Sequence, residues 1–303
     1  MFIFFKQHSS PHERQIAPAI FFVFCSKERI MKHRIIPPPE HLKDYVRYFW
    51  TLESDNSAET PKTFKAIADG SPGMIFQHSD EGSFYQFDKK LAPVFLYGQT
   101  TVCTEISSPA AFSTIGVYFA PHVLKSVFGL KASELTDSCI DIGEIAGKQG
   151  FPLEDRLLEA KNFEEKSIIL SEYLSLQLKQ HKAQEDSLLT HIIDRINRCN
   201  GVISVKDLQT LSGLSERSFE RRFQQSIGVS PKLYSRICRF QASLKQLREN
   251  DFQKLSDIAF ENEYSDQSHF IRAFKEFAGF SPKEFQKRSN EQVANFPEIQ
   301  NKR

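Results

Sequence analysis

The sequence predicts an α+β protein: an N-terminal small antiparallel β barrel or sandwich with helices, followed by an all-α domain of two helix-turn-helix units joined by a long helix. Three observations carry this reading. A short helix with a Gly-x-Ser-Pro ending is written twice, as SFERRFQQSIGVSP from Ser218 and SHFIRAFKEFAGFSP from Ser268. Short apolar runs broken by Pro, Gly, Asp and Ser fill residues 42 to 119. Charge is unevenly divided: residues 190 to 290 hold 17 Lys or Arg against 12 Asp or Glu, net +5, and the remainder holds 22 against 26, net −4, beneath a chain total of +1.

A chain of 303 residues can bury a substantial core and has the length of about two domains. Its 40% hydrophobic and 25% charged residues are ordinary for a globular protein. The five cysteines, Cys25, Cys103, Cys139, Cys199 and Cys238, are odd in number and far apart, with no C-x-x-C spacing. Neither a disulfide framework nor a zinc site is indicated, and reduced thiols in the cytoplasm are expected. His78, Asp69 and Glu105 do not form a metal-binding spacing, and no H-x-H pair is present, so neither metal nor cofactor is expected.

Near the N-terminus the apolar run from Ile16 to Cys25 is interrupted by Pro18. It lacks a small-x-small cleavage site and falls far below the ~20 residues that cross a bilayer, so no membrane partner is expected. Residues 1–30 are read as an unneeded extension or an upstream start, with Met31 opening the more ordinary MKHRIIPPPEH. Residues 31–185 are read as a sensor or regulatory domain, 186–290 as the double helix-turn-helix and 291–303 as a disordered tail.

In the first repeat Val205, Leu208 and Leu211 fall three apart, as the apolar face of a short helix, and Gly213 stops it. Ser215 can cap a second helix whose buried stripe is Phe219, Phe223 and Ile227. A rotation of about 100° per residue turns Arg217, Arg221 and Gln225 away from that stripe, with Ser218 and Gln224 at its margins. In the second copy Leu255, Ile258 and Ala259 repeat the first face, and Ser265 takes the place of the cap. The stripe becomes Phe270, Phe274 and Phe277 or Ala278, leaving Ser268, His269, Arg272 and Lys275 outward and Gln267 near the exposed first turn. The second copy carries one extra residue. Between the units, Ser230-Pro231 is a helix start, and Leu233, Ile237, Phe240, Leu244 and Leu247 make the seam of one helix about 27 Å long. Such a rod can hold two recognition helices about one DNA turn, ~34 Å, apart. One chain then reads two successive major-groove segments.

The stretches IAFENEYSDQSHFIRAFKEFAGFSPKEF and GLSERSFERRF resemble the AraC-type transcriptional regulators over about residues 190 to 288. The resemblance implies base-facing positions early in each second helix, at Arg217, Ser218, Glu220 and Arg221 and at Gln267, Ser268, Ile271 and Arg272. It further implies double-stranded DNA and RNA polymerase as partners. Where that family usually has glycine in the second turn, this chain has Glu263 after Asn262, so the turn is either built differently or strained by about 1–2 kcal/mol. An arginine opposite a buried stripe is on most helices only a solvated face; recurrence of Arg221 as Arg272 favours a DNA role. Either arginine could read guanine bidentately or hold a phosphate. Glu220 could accept from cytosine or bridge Arg217, and His269 is read as a polar neighbour of the interface.

In the N-terminal part YVRYFWTL, TFKAIADG, GMIFQHS, SFYQFD, PVFLYGQT and FSTIGVYFA read as strands. Val123 to Phe128 reads as a helix, Pro152 to Lys179 as two helical pieces, and His181 to Asp186 as a polar linker. PPPEHLKDYVRYFWTLES, ADGSPGMIFQ, LYGQT and IGVYFAPHVLKSVFG resemble the N-terminal domain of a poorly characterised branch of the same regulators. A small-molecule effector is implied, and Trp50, Phe76, Tyr85, Tyr97 and Phe119 are candidates to line its site, although aromatics at alternating strand positions are more often core. Ile168, Ile169, Tyr173, Leu174, Leu176 and Leu178 could form a homodimer seam or pack onto the barrel.

The function expected is a sequence-specific DNA-binding transcriptional regulator that responds to an effector. An enzyme domain fused to a DNA-binding anchor is the first alternative, but no G-x-S-x-G, P-loop, G-x-G-x-x-G or H-E-x-x-H is present. A non-specific architectural DNA binder is the second, and +5 is a mild charge for one.

Overall fold

The computed structural model describes residues 22–24, 32–55, 62–181 and 186–287. Eleven strands are described: β1 Phe22–Phe24, β2 Lys32–Ile36, β3 Val46–Ser54, β4 Lys62–Ala66, β5 Gly73–His78, β6 Tyr85–Gln86, β7 Lys89–Lys90, β8 Val94–Tyr97, β9 Thr104–Ser108, β10 Phe112–Phe119 and β11 Cys139–Asp141. They form two sheets, in the orders β1-β4-β9-β6-β7 and β11-β8-β5-β10-β3-β2. Neighbouring strands pair antiparallel throughout. The expected antiparallel sandwich is present. Among the described residues no helix is long and apolar enough to cross a membrane.

Side chains alternate across a strand, and here both faces of the six-stranded sheet are apolar. On β3, Tyr48, Trp50 and Leu52 enter the core between the sheets with Phe64, Ile75, Phe95, Phe112 and Tyr118. Val46 and Phe49 turn the other way, joining Phe76, Leu96, Val117 and Phe119. That outer face is covered by α1 Val123–Ser126, α2 Ile142–Lys148, α3 Leu153–Glu159 and α4 Phe163–His181. Gly116 stands opposite Trp50 in register, and a Cβ there would lie 2.1 Å from the indole, so glycine makes room for the ring.

Several expectations change in detail. The strand expected through Gly70 stops at Ala66, and Ile67–Ser71 becomes a loop in which Gly70 has φ +80°. Within residues 1–30, β1 pairs with β4 through Phe22–Ala66, Val23–Lys65 and Phe24–Phe64; the rest of that segment lies outside the described residues. So do residues 182–185 of the polar linker and the tail from 291. On α4, Ile169, Tyr173 and Leu174 are buried in the outer core, which removes them from any dimer seam, while Ile168 is 57% exposed.

Candidate nucleic-acid interface

The C-terminal part is built from α5 Ser187–Arg198, α6 Val205–Ser212, α7 Glu216–Ile227, α8 Pro231–Glu249, α9 Leu255–Glu261 and α10 Gln267–Ala278. Each start has a local cause. Ser204, Ser215, Ser230 and Asp266 each accept a backbone N–H three residues on, supplying a partner that a helix start lacks. Pro231 occupies the first turn of α8, where its missing N–H is harmless. Gly213, Gly228 and Gly279 end α6, α7 and α10 in the left-handed conformation that glycine adopts most easily.

Two apolar cores share α8. Tyr234 joins Phe219, Phe223, Ile227 and Leu208 together with Ile192 and Ile196 of α5. Ile237, Phe240, Leu244 and Leu247 join Ile258, Phe270, Phe274 and Phe277. The central helix is thus a shared wall between the two helix-turn-helix units, as its seam implies. Leu211 departs from expectation: it is 47% exposed, because Leu208 and Ser212, four apart, make the buried face of α6.

The extra residue of the second copy lies in the turn, which shifts the equivalences. Asp266, not Ser265, caps α10, accepting the His269 N–H at 2.8 Å. Ser215 accepts the Ser218 N–H in the same way at 3.4 Å. Ser218 therefore matches His269, and Ser268 matches Arg217. The Asp266 carboxyl is held below its ordinary pKa first by the His269 N–H, with Ser268, Arg272 and Ser265 adding. His269 is half-buried, its Nδ1 3.1 Å from Ser265 Oγ and its ring edge-on to Tyr264, so it braces the start of α10.

The turn of the second unit resolves the question raised by Glu263. Its φ is +52°, the left-handed position held by Gly213 in the first unit. Glu263 N–H donates to the Phe260 carbonyl at 3.0 Å and Tyr264 N–H to that of Ala259 at 2.8 Å, closing α9 in the usual way at the expense of a strained residue.

Arg217, Glu220 and Arg221 on α7 are exposed, as are Gln267, Ser268, Arg272 and Lys275 on α10. Arg217 and Arg221 enter no ion pair among the described residues, and no bridge joins Glu220 to Arg217 there. Ser218 and Gln225 are half-buried. Toward the end of α7 the N-terminal domain approaches: α1 and a 3-10 turn at Ala132–Glu134 pack against α7. There Thr136 Oγ1 donates to the Gly228 carbonyl at 2.8 Å, and Lys125 Nζ lies 3.4 Å from Ser226 Oγ. These contacts cover the end of α7 at Ser226 and Gly228, while Gln224 stays exposed. Arg222, toward the inner side, makes two bonds to Asp186, at 2.9 and 2.8 Å.

A second seam joins α8 and α10 to the loop Ile67–Ser71. Ala68 N–H donates to the Phe277 carbonyl at 3.3 Å, and Gln241 Nε2 donates to the Ala68 carbonyl at 2.5 Å. Sequence reasoning missed both seams, since contacts between distant segments leave no periodic signal.

The five aromatics expected around an effector are not brought together. Trp50 lies between the sheets, Phe76 and Phe119 lie on the opposite, helix-covered face, and Tyr85 is 41% exposed. Only Tyr97 among them borders the cavity of about 150 Å³ at the mouth of the sandwich. Register and parity explain part of this: Trp50 and Ile75 both pair with Gly116 and share its face, so Phe76, one residue on from Ile75, faces the other way.

A family described as a domain of unknown function, DUF6597, matches residues 34–141, and a helix-turn-helix domain family matches 209–288. Residues 209–288 are an AraC-type helix-turn-helix domain. An uncharacterized HTH-type transcriptional regulator of Haemophilus influenzae is 30% identical over 104 residues, which are 34% of this chain and 35% of that protein. The match thus spans about a third of that relative's length. Among solved structures, ToxT from Vibrio cholerae is 13% identical with a TM-score of 0.45, covering 79% of this chain and 98% of ToxT. A probable AraC family transcriptional regulator from Rhodopseudomonas palustris is 24% identical with a TM-score of 0.32, covering 34% of this chain and 98% of that one.

Proposed function

We propose that this chain is a sequence-specific DNA-binding transcriptional regulator whose N-terminal domain senses a small molecule and biases DNA engagement. One observation carries the reading: two capped helices of the same design, α7 and α10, flank a shared central helix and expose Arg217, Arg221 and Arg272. Arginine faces of this kind suit phosphates and guanine edges. In this assignment residues 31–185 sense and 186–290 bind DNA. Base or phosphate contacts fall to Arg217, Ser218, Glu220, Arg221 and Gln225, and to Gln267, Ser268, His269, Arg272 and Lys275. The two seams, at Gly228 and at Ala68, give the N-terminal domain a handle on both units at once. RNA polymerase, and a second copy of the chain, are the further partners this role implies; no catalytic step is assigned.

Salt-dependent binding to a pool of random duplexes tests the reading. Enrichment of a site with two half-elements about one helical turn apart is expected. A steep salt slope without enrichment overturns it in favour of a non-specific binder.

A further inference from the structure

The cavity at the mouth of the sandwich has a one-sided chemistry. Its apolar lining includes Ile67, Ile75, Leu91 and Ile106, and its aromatic lining Phe87, Phe95 and Tyr97. Among the described residues two carboxyl groups border it, Asp69 and Asp137, and no Lys, Arg or His does. Asp137 is already committed, accepting from Thr101 N–H at 2.7 Å and Thr101 Oγ1 at 2.6 Å. Asp69 is held by neutral donors alone: its Oδ1 takes the Ser71 N–H at 3.1 Å, and its own N–H and the Tyr118 hydroxyl also donate to the carboxyl.

The groups facing Asp69 sharpen the point. Tyr97 of β8 and Tyr118 of β10 lie close enough that its charge adds to the burial that raises their own pKa values. Tyr48 of β3 stacks on Tyr118 at 5.0 Å. Cys103 and Cys139 border the same space. Among the described residues, this carboxylate is walled by aromatic rings in a cavity with no basic side chain on its lining to supply a counter-charge. Burial is the main reason its pKa rises to about 7.

The rim adds an independent observation. Phe87, in the turn between β6 and β7, has φ +53° and is 74% exposed. A bulky residue in that region is strained, and its ring is left in water at the entrance of an apolar space. A bound molecule would give that ring a partner.

We propose that this cavity binds a small organic cation, an ammonium group on an apolar or aromatic body, with Asp69 as its counter-charge and Tyr97, Phe95 and Phe87 as its walls. Aromatic faces attract ammonium groups, and the carboxylate fixes the orientation. The volume suits a body about the size of benzene. The proposal names the ligand class of the sensing function set out above and rests on that reading only for its regulatory meaning. Occupancy would be felt directly in the DNA-binding part, because Asp69 follows Ala68, the residue that bonds α8 and α10.

Calorimetric titration of the full chain with benzylamine, benzyl alcohol and benzoate tests the proposal. These probes share a ring and differ in charge. Benzylamine is expected to bind at least about tenfold more tightly than the alcohol, and benzoate not at all. Between about pH 8 and about pH 6 the ionised share of Asp69 falls about tenfold while benzylamine stays charged, so its affinity should fall by a similar factor. Asp69→Asn should abolish the preference for the amine. Equal binding of all three probes, no binding of benzylamine, a pH-independent affinity, or an unchanged preference in Asp69→Asn would each overturn it. The wild-type pH comparison needs no variant to fold. The random-duplex selection needs no ligand, so failure here and failure of the DNA-binding reading are separate results.

Discussion

The Arg239 guanidinium, midway along α8, donates to the backbone carbonyl of Glu263 at 3.2 Å and to that of Gly201 at 3.5 Å. One side chain thereby ties the inter-helix turn of the second unit to the loop that leads into the first. Its guanidinium also lies 5.7 Å from the Tyr264 ring centroid. The tie holds Glu263 in a conformation that a residue with a side chain disfavours.

Glu263→Gly should therefore stabilise the protein by about 0.5–1 kcal/mol, since relief of the left-handed strain exceeds the extra entropy of glycine in the unfolded chain. Arg239→Ala should destabilise it by about 1–3 kcal/mol, by leaving two carbonyls without their charged donor. Urea midpoints measured at unchanged slope check both. A lower midpoint for Glu263→Gly would contradict the role given to the turn.

Arg221→Ala and Arg272→Ala should each weaken binding to a selected site by about 1–3 kcal/mol. Titrations at several salt concentrations separate the two roles. A phosphate contact lowers the salt slope by about one, whereas a base contact relaxes preference at one position of the site. Unchanged affinity in both variants would show that these faces do not meet DNA.

The shift in equivalences has its own consequence. Ser215→Ala should lower stability by about 1 kcal/mol, Asp266→Ala should lower it too, and Ser265→Ala should matter less than Asp266→Ala. Thermal melts rank the three. Because the folded structure depresses the Asp266 pKa below 3.8, its contribution is present above that pH and is lost as pH falls through the folded value. The Asp266→Ala variant should therefore differ from the parent near neutrality and converge with it in acid.

Asp69 works in the opposite sense. Its pKa is raised from 3.8 to about 7, so the folded protein holds a proton that the unfolded chain has released. Stability should fall as pH rises from about 4 to about 7, and Asp69→Asn should flatten that part of the profile. Urea denaturation at a series of pH values measures the slope; an equal slope in the variant would show that another group carries it.

The helical half was legible because its signals are local. Serine caps, glycine stops and the Phe219–Phe223 and Phe270–Phe274 stripes each depend on neighbours within a turn or two of helix. The one-residue slip at Ser265 arose because a second polar residue, Asp266, stands beside it and serves as well for a cap. Leu211 misled because three-residue spacing fits two adjacent faces of so short a helix. In the N-terminal half the strand runs were legible, but not what lies on each side of them: Trp50 and Phe76 look alike in sequence and face opposite cores. The seams at Thr136–Gly228 and Ala68–Phe277 join residues 92 and 209 positions apart, and each ends on a main-chain carbonyl, which every residue carries. Asp69 was visible only as a residue that did not suit a metal; its surroundings come from three different strands.

The central claim is that α7 and α10 enter successive major grooves on one side of the same duplex. Hydroxyl-radical footprinting of the full chain on a selected site measures this directly. Two protected segments are expected on one face, with centres about 10 base pairs apart. Protection confined to a single segment, or two segments on opposite faces of the duplex, would contradict it.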